Sequence, residues 1–284
     1  MVRCSGVQQS PGNWGMFHDQ FSETSKPPLD REALRDVIDL ALWAGQLLLQ
    51  YGAESERIEQ TIHRLGTGLG CDWMDILVSP NVIAVTTTSG EEFRTKIRRV
   101  IGLNVNLTII SAINRLSRRV EEGELDRFGV RKELDRISKI KSHYNRWLVV
   151  TMVGLACASF SRLFGGDAAV FVVTFIASAV AMVVRQELSR RYFNQFLVVI
   201  VTAFVAGVLA SAADLLNLSS QPETALAASV LLLVPGVPLI NAAEDLITGH
   251  MVTAVVRGIV GGIISLSIAL GLLLAISLMG VRGL

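Results

Sequence analysis

Beyond Lys141 the chain of 284 residues contains no lysine. Acids thin out at the same place: residues 1–145 carry 19 Lys+Arg and 19 Asp+Glu, whereas residues 146–284 carry only 7 and 6. There is no basic excess either, since the formal net charge is +1, so a nucleic-acid partner has no electrostatic support. Cysteine is scarce. Cys4, Cys71 and Cys157 show no CxxC spacing and an odd count, which fits a reducing compartment better than a disulfide framework. GxxxxGK[ST], HExxH and GxSxG are all missing, so ATP-driven pumping by this chain alone is not expected. The glycine-rich "GTGLG" at 66–70 ends a helical stripe instead of joining a strand to a helix, and it lacks the phosphate-binding spacing. His63 and His143 have no second ligand at metal spacing. Neither enzyme chemistry nor a metal or cofactor is expected.

What is present is apolar. Hydrophobic residues make up 51% of the chain and the mean hydropathy is +0.48, too high for an ordinary soluble domain. The first part is too charged for a membrane bundle, so two kinds of structure are joined near Arg146-Trp147. Residues 1–28 lack the basic-then-apolar order of a signal peptide and read as a disordered tail. Residues 29–145 read as a small cytoplasmic α+β domain. A stripe from Leu34 to Leu49 predicts a helix over about 30–50, and Ile58, Ile62, Leu65 and Leu69 predict a second. "WMDILVS", "NVIAVTTT" and "EEFRTKIRRV" read as a three-stranded meander, followed by helices at about 104–121 and 130–144. The cluster Glu54, Glu56, Arg57 and Glu59 reads first as a solvated helix face, with contact to a partner or gating against the bundle as the alternative.

Residues 146–284 read as a transmembrane domain of five helices, at roughly 147–165, 168–184, 195–213, 224–243 and 254–279. Arg185, Arg190 and Arg191 between spans two and three, with Lys139, Lys141 and Arg146 before span one, place the N-terminal domain in the cytoplasm. Small residues at helix-packing spacing, Gly154/Ala158, Gly207/Ser211 and Gly258/Gly262, predict close helix contacts. Arg257 is expected near the cytoplasmic interface with its side chain snorkelling outward, pairing with an intramembrane acid being the lesser alternative.

The fourth span contains "VPGVP". Counted from Ala225 at ~1.5 Å per residue, Pro235 lies ~15 Å in, at the middle of a ~30 Å hydrocarbon core. Two prolines withhold their amides, so carbonyls near Leu231 and Val234 lose helical partners, and Gly236 permits a turn. Pro238 is placed to restart a helix whose free amides at Leu239, Ile240 and Asn241 would face an anion. Pro235, Gly236, Pro238, Leu239, Ile240 and Asn241 are therefore the candidate substrate-binding residues. Glu244 and Asp245, one to two turns on, are the candidates for proton coupling or for gating cytoplasmic access. A purely structural kink is the plainer alternative.

"YGAESERIEQTIHRLG" (51–66), "SPNVIAVTTT" (79–88), "RWLVVTMVGLACASFSRLFGG" (146–166) and "LLLVPGVPLINAAEDLITGH" (231–250) together resemble the bacterial threonine/serine exporter (ThrE-like) family, in its short, YjjP-type form. The resemblance runs from about residue 30 to the C-terminus and implies a multi-pass inner-membrane exporter subunit. Long family members carry a second membrane region in the same chain. The short form implies a separate small membrane partner of the YjjB type. It also implies export of succinate-like dicarboxylates, while the long form implies proton-driven threonine and serine efflux. A membrane-tethered cytoplasmic sensor or hydrolase is the reading from a different class.

Overall fold

A computed structural model describes residues 29–90, 92–102, 104–140, 144–216 and 221–280. The expected disordered tail and His143 lie outside these residues. The first helix, α1 (Arg31–Gln50), begins where Asp30 Oδ1 accepts the Ala33 amide at 2.7 Å. Its stripe of Leu34, Val37, Ile38, Ala41, Leu42 and Leu48 is fully buried, each large member contributing roughly 1.5–3 kcal/mol of transfer free energy. Gly45 lets α2 (Ser55–Gly68) lie close, because a Cβ there would come within 2.5 Å of Ile62 Cδ1.

Three antiparallel strands follow in the order β1 (Trp73–Ser79), β2 (Val82–Ser89) and β3 (Glu92–Arg99). Alternation puts Ile83, Val85 and Thr87 of β2 against the helices, while Trp73, Leu77, Phe93 and Ile97 point outward. Burial in this core pushes the Cys71 thiol up to about 11. Helix α3 (Leu107–Glu121) starts three residues later than its stripe suggested, because Asn106 Oδ1 accepts the Thr108 and Ile109 amides. Helix α4 (Arg127–Ser138) starts earlier than expected for the same kind of reason: Asp126 Oδ1 accepts the Gly129 amide.

The second half consists of α5 (Arg146–Leu163), α6 (Ala168–Arg190), α7 (Gln195–Ala210) continued by a short α8 (Ala212–Leu215), α9 (Pro222–Ser229), α10 (Gly236–Ile247) and α11 (Met251–Met279). Four of these stretches are long and apolar enough to cross a bilayer. A fifth crossing arises if the bent pair Pro222–Leu233 and Gly236–Ile247, which meet at 65°, is one broken span. Small residues set the packing. A Cβ on Gly154 would meet Phe175 O of α6 at 3.1 Å, and one on Gly207 would meet Ala275 of α11 at 2.8 Å.

The pair Gly258/Gly262 is different, since both face open space. The close approaches of α11 are made by Gly261, against Leu239, and by Gly271, whose Cβ would lie 2.5 Å from Ile200 O. The offset arises because α11 turns its 261/264/268/271/275 face, not its 258/262 face, toward its neighbours.

The buried apolar clusters do not mix the halves. One runs from Leu34 to Ile137, and the two in the bundle fall between Val170 and Ile268. The halves meet through polar contacts at α10 and α11, described next.

Candidate substrate site at the broken span

The break is made by Leu231–Leu233 in a 3-10 turn followed by Val234 and Pro235. The carbonyls freed at the break find partners one by one. Val230 O accepts Leu233 N at 2.9 Å, Leu231 O accepts Val234 N at 3.2 Å, and Val234 O accepts Gly236 N at 2.9 Å in a tight turn. Leu232 O is satisfied from another helix: Arg185 Nη1 of α6 donates to it at 2.9 Å. Arg185 therefore lies inside α6, and not in a loop as its sequence position suggested. Side chains on a helix lean toward its N-terminus, which carries this guanidinium inward along α6 to the break.

Helix α10 begins at Gly236, two residues before Pro238. The consequence corrects the expected amide cradle. Leu239 N donates to Pro235 O at 3.2 Å, and Ile240 and Asn241 lie in the second turn, where the helix ladder uses their amides. Pro238 falls at the third helical position, where its missing N–H leaves no orphan donor. Leu239 packs on Gly261, and Ile240 is 66% exposed on the side away from the protein.

Asn241 and Asp245, one turn apart, are buried on the opposite face, and both reach the turn between α1 and α2. Asn241 Nδ2 donates to Gly52 O at 2.7 Å. Asp245 Oδ1 accepts the Ser55 amide at 2.8 Å, across 190 residues of sequence. Glu54, the residue before α2, makes no side-chain cap, so a carboxylate from the bundle takes that place on the positive end of α2. Gly52 adopts φ +88°, and a Cβ on it would crowd Asn104 O at 3.3 Å and come within 3.8 Å of Val237 Cγ1 of α10.

Arg257 of α11 completes the contact. Its Nη1 donates to Asp245 Oδ2 at 2.8 Å and its Nη2 to Ala53 O at 2.8 Å. Asp245 is wholly buried and the Arg257 side chain 12% exposed, so the pair is shielded from water on both sides. The expected outward snorkelling of Arg257 is thus replaced by pairing with a buried acid of the neighbouring helix. Glu244, in contrast, is exposed and stays apart from this cluster.

A second contact lies beside the first. His250 Nε2 meets Glu59 Oε1 at 2.9 Å, and its Nδ1 meets Thr248 Oγ1 at 3.0 Å. The acidic cluster at the start of α2 is therefore partly a docking face. Its docking residues are Ser55 and Glu59, four apart and on one side of the helix. Sequence reasoning missed Ser55, His250 and Arg185, and offered contact of Glu59 with the bundle only as an alternative. Only His250, lone and next to a membrane segment, carried a hint.

An apolar bundle with a bent helix pair, onto which the charged N-terminal module is held by hydrogen bonds from Asn241, Asp245 and Arg257, has the build of a membrane transporter. Comparisons with known proteins agree. The family described as "Putative threonine/serine exporter" matches residues 39–279, and the chain belongs to that family. It is 36% identical over 256 residues, 90% of this chain and 99% of the relative, to the "Probable succinate transporter subunit YjjP" of Escherichia coli K12. It is 37% identical to the protein of the same description from Klebsiella aerogenes, over 89% of this chain and 98% of the relative. The "Threonine/serine exporter" of Corynebacterium glutamicum is 26% identical over 80% of this chain, which spans 48% of that longer protein. No solved structure matches.

Proposed function

We propose that this chain is the membrane subunit of a secondary exporter that moves small dicarboxylates of the succinate type out of the cytoplasm. It works with a small membrane partner of the YjjB type. The N-terminal module lies in the cytoplasm and the bundle crosses the inner membrane. Substrate is handled at the break around Pro235, Gly236 and Pro238. The observation that carries this reading is the docking of the α1–α2 turn on α10 through Asn241, Asp245 and Arg257. It couples a soluble module directly to the helix restarted after the break.

In this arrangement Asp245 acts as a gate. While it holds Ser55 N and Arg257, α10 is pinned on its cytoplasm-facing side. Export requires that the pin release, and the ion pair gives the release a defined switch. Similarity to two relatives described as succinate transporter subunits, over nearly their full length, supports the dicarboxylate. The weaker likeness to a threonine/serine exporter supports an amino-acid substrate as the second reading.

The test is reconstitution in vesicles with and without the small partner, followed by efflux of labelled succinate and labelled threonine. Succinate efflux that needs both proteins is the expected result. Preferential threonine efflux would transfer the assignment to the amino acid. Absence of both would remove the exporter reading. Asp245→Asn should abolish or uncouple efflux in the same vesicles while Glu244→Gln leaves it near normal.

A further inference from the structure

Arg185, half-buried, differs from Arg257. Arg257 has Asp245. Arg185 has a carbonyl, Leu232 O, and among the described residues no carboxylate within 4.0 Å. The acids of the neighbouring turns are committed elsewhere: Glu187 pairs with Arg146 at 3.5 Å and with Arg191 at 3.3 Å. A guanidinium carries five donors, and one carbonyl uses one of them. A cation drawn into a membrane bundle without a countercharge is unfavourable unless something supplies the missing anion.

The face of α6 that carries it is polar in one line. Thr174, Ser178, Ala181 and Arg185 fall at spacings of four, three and four residues, which superposes them on one side of the helix. Ser178 Oγ donates to Ser229 O at 3.2 Å, three residues before the carbonyl that Arg185 takes, so α6 and the broken span are in register. Further along the line, Thr174 Oγ1 is fully buried with no partner. A Cβ on Gly236 would meet nothing within 4 Å, so the bend is open on that side.

We infer that Arg185 binds the carboxylate of the exported solute at the break. This rests on the exporter reading above and assigns its substrate contact to α6, not to the amides of α10. A planar fork already anchored by one N–H to Leu232 O keeps a pair of donors in fixed geometry for a carboxylate, whether that of a dicarboxylate or of an amino acid.

Arg185→Lys is the decisive variant, because an ammonium can still reach Leu232 O but cannot form the bidentate contact. In vesicles holding both subunits, its half-saturating succinate concentration should rise about ten-fold or more. Arg185→Gln should lose efflux altogether. In detergent, succinate should raise the melting temperature of the wild-type protein and fail to do so for both variants. An unchanged half-saturation for Arg185→Lys overturns the inference while leaving the exporter intact. Should the wild-type pair export no carboxylate, the exporter reading falls, and the melting arm still decides on Arg185: equal stabilisation of wild type and variants by succinate overturns it. Should Arg185→Gln not fold, the half-saturation and melting shift of the lysine variant decide alone.

Discussion

The two halves of this molecule treat charge in opposite ways. In the N-terminal module, pairs such as Arg64–Glu121 at 2.9 Å and Lys139–Asp135 at 2.5 Å sit at the surface with half or more of at least one side chain exposed. The core beneath them is apolar and continuous. In the bundle, charges are few, and those turned inward each hold a backbone in place. Asp245 holds Ser55 N, Arg257 holds Ala53 O, and Arg185 holds Leu232 O. Surface pairs are screened by water and are worth little, whereas an inward charge must be answered by a partner. The charge-poor half is therefore where single charges decide most.

The largest expected effect tests that contrast at the ion pair. Arg257→Ala leaves Asp245 buried without its partner and should lower stability by about 3–5 kcal/mol, read from chemical denaturation in detergent. The double variant Asp245→Ala/Arg257→Ala should be less damaged than the sum of the single ones, giving a coupling of at least ~1 kcal/mol. Additive losses would show that the pair does not act as a unit.

Packing gives the next contrast. Gly271→Ala drives a methyl toward Ile200 O and should cost about 1–3 kcal/mol, while Gly258→Ala points into open space and should be neutral or stabilise by up to ~1 kcal/mol. If both behave alike, the assignment of the α11 packing face is wrong. At the second docking contact, Glu59→Gln should cost about 1 kcal/mol and increase protease access to the α1–α2 turn. The smallest effect belongs to the surface: Lys139→Ala should change stability by no more than ~0.5 kcal/mol.

Much of the fold could be read in advance because its signals are local. The stripe beginning at Leu34 and the alternation from Trp73 to Arg99 repeat at the period of the element they form. The helix starts that shifted, at Leu107 and Arg127, are governed by single capping side chains, and apolar periodicity is blind to those. Pro235 and Gly236 announced a break, and the chain bends there. The site was only partly legible. Asn241 and Asp245 stood out as polar residues in an apolar setting, yet their partners lie 189 and 190 residues away and leave no trace in local sequence. Arg185 was misleading, since a positive charge at the end of an apolar run looks the same whether it turns outward or in.

The order of hydrophobic and charged residues alone determined that a charged α+β module precedes an apolar bundle, that one apolar stretch is interrupted, and where the interruption falls. Those are properties of short windows, set by burial, lipid thickness and the proline amide. Only the tertiary structure decided that a carboxylate from α10 caps α2, that Arg257 turns inward to meet it, and that Arg185 answers the carbonyl freed by the bend. Such choices depend on which unsatisfied group comes within about 3 Å once the helices pack, and that distance belongs to the assembled fold and not to any one segment.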